Sequence, residues 1–417
     1  MKTTLLLLGV IAAFTAAAGA ESSKLEVHEW GTFTVVGGSD GSPLSWYQPG
    51  ADLDQLPVFV TSALFRSKAS FARSIMRMET PVIYFYPESE MKVKVAAKLE
   101  QGRITEWFPS PHMSPEPEVV WEGSLHRPDD KETLARVPEV VPGKGDHYQQ
   151  ARNVPDAWLF RNRVTYPPGV PVLLPNHDAE KFIFYRGVGD AAPPYQVGHY
   201  NGNELMLRHF GPGGGITHAF ALRVENGKAR WAKFPKLDPA TTEDYASMSG
   251  FASIKLAGAP APVEKVEADL SAAMEKALTS SGLTTAEARA MIATWHGHWF
   301  RESGTRVLAI MPRQYIDSVL PLTITPKPAR LERVSVTRFE VFTQERELAL
   351  LDLLDQHSSL KPDAAKTQSF KSLDLGRFGW GALVRAQQLQ ERRMEVRYSA
   401  LLEAITPPPQ AAATAAK

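Results

Sequence analysis

Four glutamates and two arginines stand at positions where the local pattern calls for apolar side chains. In LEVHEWGTFTVV (residues 25–36), strand alternation puts Val27, Glu29, Gly31, Phe33 and Val35 on one face. His28, Trp30, Thr32 and Thr34 fall on the other. Glu79 alternates with Pro81, Ile83 and Phe85, and Glu106 lies between Ile104 and Phe108. At helical spacing, Glu302 continues the stripe of Met291, Ile292, Trp295 and Trp299. Arg186 extends the face of Phe182 and Phe184, while Arg306 alternates with Leu308 and Ile310.

A charge among apolar neighbours must be paired or change its protonation. Two chemistries follow. If two of the acids escape pairing, one can be a general acid and the other a base or nucleophile, as in glycoside cleavage. Glu29, Glu79, Glu106 and Glu302 form that catalytic pool. Arg186 and Arg306 would orient substrate, and Trp30 and Trp107 would offer stacking faces to a sugar. If the acids do not escape, they meet arginines in bidentate pairs that only build the fold.

A third reading makes the protein a histidine-ligated metalloprotein. The eleven histidines show no HExxH spacing. In WHGHWF, His296 and His298 are two apart and diverge by about 200° on a helix, so one ion could not take both. His112, His126 and His147 lie in or near one long polar segment, with nothing but position to recommend them. No metal site is assigned, and the cofactor stays open. GxSxG and SxxK are absent, as is cysteine, which removes the familiar serine and cysteine nucleophiles. The glycine run at 211–215 lacks the strand–GxxxxGK[ST]–helix context of a phosphate cradle.

The first twenty residues, MKTTLLLLGVIAAFTAAAGA, have a basic start, a short apolar core and a small-residue end. They read as a secretory signal peptide cleaved after Ala20, with no membrane span in the mature chain. The expected location is the periplasm or the medium. Basic and acidic residues balance at 46 each, which excludes the basic footprint of a nucleic-acid binder. The partner expected instead is a cell-envelope or extracellular polymer.

The elements that must position these residues are mostly strands up to about residue 256. Runs at 81–86, 91–97, 103–108, 181–186, 204–209 and 216–224 alternate, and Asn226-Gly227 marks a tight hairpin before 229–234. Ser124–Asp156 reads as a long loop or lid. Beyond a Pro/Ala connector at 257–262 the period turns helical over 263–280 and 285–303, the second opening with a Thr284/Glu287 capping box. Strand-like runs at 305–311, 319–324 and 331–342 follow, then helices near 344–356 and 380–404 and a disordered tail at 406–417. The fold class is α+β: a large antiparallel, sandwich-like β region over 24–256, followed by a mixed helical and β part over 262–405, the two able to pack as one unit.

The strings VHEWGTFT, RMETPVIYFY, ITEWFP, FIFYRGVG and WFRESGTRVLAIMPR resemble a family of exported, uncharacterised bacterial proteins, over Val27 to about Arg338. The resemblance implies an extracytoplasmic protein of one architecture and transfers no catalytic residue. WHGHWF departs from the family pattern. The leading function is a carboxylate-dependent hydrolase of a glycan or related polymer; the alternative is a non-enzymatic periplasmic binding or scaffold protein.

Overall fold

The computed structural model describes residues 23–47, 56–62, 74–111, 118–143, 145–163, 178–210, 214–239, 251–356 and 376–405. Its centre is an eleven-stranded sheet whose body is eight strands. In chain order these are β1 (Ser23–Gly37), β2 (Met76–Pro87), β3 (Gly102–Phe108), β4 (Ile183–Gly189), β5 (Ala219–Glu225), β6 (Lys228–Lys233), β7 (Gly304–Ile310) and β8 (Pro328–Val341). They lie in the order β6-β5-β7-β8-β1-β2-β4-β3, with two-residue strands at both edges and a third against the end of β1. All neighbours are antiparallel except the central pair, β1 with β8, which is parallel over thirteen matched residues. The sheet therefore runs without a break through both parts of the sequence.

One face carries Val27, Phe33 and Val35 of β1. It packs against a five-stranded antiparallel sheet contributing Val93, Val95, Trp121 and Phe160, and against a three-stranded one contributing Tyr195, Val197 and Leu207. This is the expected sandwich. The opposite face is covered by helices. In chain order the helices are α1 (Lys131–Leu134), α2 (Asp146–Gln150), α3 (Val263–Ser280), α4 (Thr285–His296), α5 (Arg313–Val319), α6 (Gln344–Gln356) and α7 (Gly379–Ile405). Leu270 and Met274 of α3 and Met291 and Trp295 of α4 pack on Trp30, Tyr84, Phe184 and Val336. Phe342, Leu350, Phe378 and Ala382 form a separate cluster with Val36 and Val188. The fold is α+β, β-rich toward the N-terminus, with helices gathered toward the C-terminus. No helix among the described residues is long and apolar enough to cross a membrane.

Local chemistry fixes several of these elements. Asn226 and Gly227 take φ of 51° and 70°, the conformation a two-residue hairpin between β5 and β6 demands. Thr284 caps α4 reciprocally with Glu287, whose buried carboxylate also meets His28 of β1 at 2.9 Å and Tyr86 of β2 at 2.6 Å. One glutamate thus starts the helix and docks it on the sheet. The segment read as a lid is tied down: Tyr148 is buried among Phe59, Phe182 and Phe184, and Tyr84 donates to the Ala151 carbonyl at 2.7 Å. The run at 319–324 divides between the end of α5 and a short strand, Leu322–Thr325. The signal-peptide and tail segments lie outside the described residues.

Two irregularities decide which way the acids point. Trp30 pairs with Val82 and Thr32 with Glu79, so Gly31 stands opposite both Thr80 and Pro81, and Thr80 adopts φ of 49°. This bulge reverses the parity of β2. A second bulge, at Thr105, lies between the pairs Arg186–Glu106 and Gly187–Ile104. A Cβ on Gly31 would lie 3.1 Å from the Pro81 Cα. Gly31→Val is therefore expected to destabilise the protein by about 1–3 kcal/mol through overpacking, read as a lower urea midpoint. An unchanged midpoint would mean that the bulge accommodates the side chain.

Candidate functional site

The bulges gather charge on the helix-covered face. Glu79 turns away from Ile83 and Phe85, and Glu106 away from Ile104, so the alternation expected for both is corrected by one residue. Arg186 and Arg306 keep the faces predicted for them. Arg306 stands beside Glu340, Arg338 beside Thr34, Thr34 beside Arg77, Thr32 beside Glu79, and Arg186 beside Glu106. The result is a belt of polar residues across β7, β8, β1, β2, β4 and β3, separating the two apolar clusters on that face.

Within the belt, carboxylates and guanidinium groups are matched. Arg377, from the turn Gly376–Phe378 before α7, donates to Glu79 from Nη1 at 2.7 Å and Nη2 at 3.2 Å, and Thr34 donates to the same carboxylate at 2.5 Å. Arg77 donates to Glu106 at 3.1 Å. Arg338 bridges Glu302 at 2.6 Å and Glu340 at 2.9 Å. Arg186 Nη2 meets His147 Nε2 at 3.1 Å. Burial alone would raise the Glu79 carboxyl, but Arg377 and Thr34 overcome it and bring the pKa to about 2. Burial likewise pushes Glu302 upward, and Arg338, His298 and Arg377 hold it well below the usual carboxylate range. Burial lowers Arg306 to about 10, with Glu340 offsetting part of the effect.

Glu302 does not continue the helical stripe. After α4 the chain makes a π turn, Gly297–Arg301, that displaces the spacing, and Glu302 leaves it in extended conformation. Arg306 holds this turn by donating to the Trp299 carbonyl at 3.0 Å and the Glu302 carbonyl at 2.6 Å. The turn brings His298 Nδ1 to 2.5 Å from Glu302 Oε1. Here the belt reaches solvent: the His298 and Glu302 side chains are 25% and 30% exposed, against 1% for Arg338.

Glu29 lies on the opposite face, apart from the other three acids. Arg333 of β8, its direct neighbour in the parallel pair, donates from Nε at 2.6 Å, and the Tyr185 hydroxyl also donates to it. Arg333 Nη1 continues to Asp317 at 2.9 Å. Burial works against the Arg333 charge, but Glu29 outweighs it and raises the pKa. The structure thus brings together Glu79, Glu106, Glu302, Arg186 and Arg306, and leaves Glu29 in a separate pair.

Trp30 is fully buried against Tyr84, so its ring faces core rather than substrate, while Trp107 is half-buried beside the first cluster. His296 binds Glu267 and His298 binds Glu302, so the two imidazoles of WHGHWF serve different carboxylates. His126 stands beside Ser124, His147 beside Arg186, and His112 lies outside the described residues. Among the described residues no three His, Asp or Glu side chains gather to hold an ion. Arg333, Arg338 and Glu340 were accessible to the alternation rule, since Arg338 and Glu340 share the face of Val334 and Val336 in LERVSVTRFEVF. Arg377 had no signal: a lone arginine in GRFGW belongs to no period. No family model matches the chain, and no curated protein matches it.

Two measurements probe these pairs. Glu29→Gln or Arg333→Met alone should cost about 3–5 kcal/mol of unfolding free energy, because each strands a buried polar partner. The double variant should cost clearly less than the sum, and strict additivity in urea titrations would deny the pairing. Glu79 has a folded pKa of about 2 against an ordinary 4.5, so its stabilisation is present above pH 4.5 and is lost as pH falls toward 2. Wild type should therefore lose more stability than Glu79→Gln between those limits, by on the order of 3 kcal/mol; parallel acid profiles would contradict the assigned environment.

Proposed function

We propose that the protein is a non-enzymatic, extracytoplasmic binding or scaffold protein of the cell envelope, in which the buried glutamates and arginines are structural. One observation carries this reading: each of the four acids nominated for catalysis is held by its own arginine. The pairs are Glu29–Arg333, Glu79–Arg377, Glu106–Arg77 and Glu302–Arg338. Glycoside cleavage needs a carboxyl that keeps its proton near neutral pH. Glu79 and Glu302 are driven the other way, toward permanent ionisation. The leader-like first twenty residues and the resemblance to exported proteins support the location, and an envelope or extracellular polymer is the partner this reading favours.

One feature supports the hydrolase as second reading. Glu302, accepting from His298 Nδ1, leaves Nε2 as the basic nitrogen of a partly exposed imidazole. In that case Glu302 orients a base and is not itself the acid. Purified protein on a panel of plant, fungal and bacterial polysaccharides, assayed for released reducing ends, separates the two. The binding reading expects retention of one or more polymers without cleavage. Turnover abolished by His298→Ala at unchanged melting temperature would overturn it in favour of the hydrolase.

A further inference from the structure

At one place the sheet opens into a cleft that the ionic belt does not touch. The pairing of β7 with β8 ends at Ile310–Val336, after which Pro312 carries the chain away into α5. β8 continues alone on that side, and Arg333 and Val334 line the gap. Gly214, Gly215 and Thr217 close it from the segment before β5, and Ser281 from the end of α3. The cavity measures about 320 Å³, at the lower end of the usual range for small-molecule sites.

The chemistry of the wall is one-sided. Its described residues include two arginines, Arg313 and Arg333, and the uncharged Thr217, Gln314 and Ser281, the last donating its hydroxyl to the Ala277 carbonyl at 2.8 Å, and among the described residues no acid lines it. Arg333 is fixed in place, with Nε on Glu29 and Nη1 on Asp317. Its Nη2 has no hydrogen-bond partner among the described residues, although the side chain is 1% exposed. A buried guanidinium N–H without an acceptor is costly, and an oxyanion is the acceptor that suits it. Arg313 is preset in the same way, by Asp317 at 2.8 Å and the Leu331 carbonyl at 2.8 Å. Two further acids adjoin the lining, Asp238 beside Gly215 and Glu332 beside Gly282; they are engaged by Lys236 and Arg330. Gly214 adds backbone that a ligand can approach closely, since nothing among the described residues lies within 4 Å of where its side chain would stand.

We propose that this cleft binds a small molecule bearing a phosphate or carboxylate group, met by Arg313, Thr217 and Gln314, with the buried Arg333 Nη2 as the donor it reaches on seating. The site is distinct from the belt, so it stands or falls independently of whether the protein cleaves a polymer. It also makes Arg333 a link between the core pair with Glu29 and the ligand.

The full chain tests this by titration calorimetry and thermal shift with inorganic phosphate, sulfate, acetate and succinate, each against chloride at matched ionic strength. A saturable response to phosphate and sulfate identifies a phosphate-type site; one to acetate or succinate identifies a carboxylate site. Gln314→Glu and Thr217→Glu place a negative charge on the exposed lining and should weaken binding by about tenfold or more. Because both positions are exposed, the variants should keep the wild-type melting temperature without ligand. Glu79→Gln, in the belt, should bind as wild type does. No saturable response to any of the four anions, or equal affinity in wild type and Gln314→Glu, overturns the proposal.

Discussion

The structure depends on a constraint rather than on any single attraction: guanidinium and carboxylate groups taken out of water must find each other. Each such ion costs several kcal/mol to desolvate, and a well-made pair roughly recovers that cost. The belt from Arg306 to Glu106 therefore adds little net stability. What it adds is exclusivity. A slip of β8 against β7 or β1 would set Arg338 and Glu340 among valines and leave their partners charged and alone. Apolar burial holds the layers together, and the ionic pairs select which arrangement of strands is allowed.

The belt also explains why the helix-covered face has two apolar clusters rather than one. Trp30 and Val336 belong to the first, Val36 and Phe342 to the second, and Thr32, Thr34, Arg338 and Glu340 lie between them on the same strands. The C-terminal helices seat on the second cluster and deliver Arg377 to Glu79. Docking of α7 is thereby coupled to the neutrality of the belt, and the π turn before β7 is held by the belt's own Arg306.

Much of the architecture was legible in residue spacing, because period and turn chemistry are local. The Asn226-Gly227 hairpin, the Thr284/Glu287 cap and the alternation of Glu29, Arg186 and Arg306 follow from neighbours a few positions away. The positions of Glu79, Glu106 and Glu302 did not follow. Each depends on a one-residue irregularity, at Thr80, at Thr105 and in the π turn, and a period of two or 3.6 cannot register an inserted residue. Partners were harder still. Glu29 and Arg333 are 304 positions apart, and nothing in LEVHEWGTF announces which arginine will lie beside it. The parallel pairing of β1 with β8 was likewise invisible, since strand patterns carry no direction.

That pairing shapes the protein's route to its folded state. The first strand of the central sheet must wait for one that begins at residue 328, so no early portion of the chain can finish the middle layer alone. Contacts this distant in sequence slow the search and leave strand edges open meanwhile. A nascent chain would remain unfinished, and dependent on protection, until the strand beginning at Pro328 had emerged.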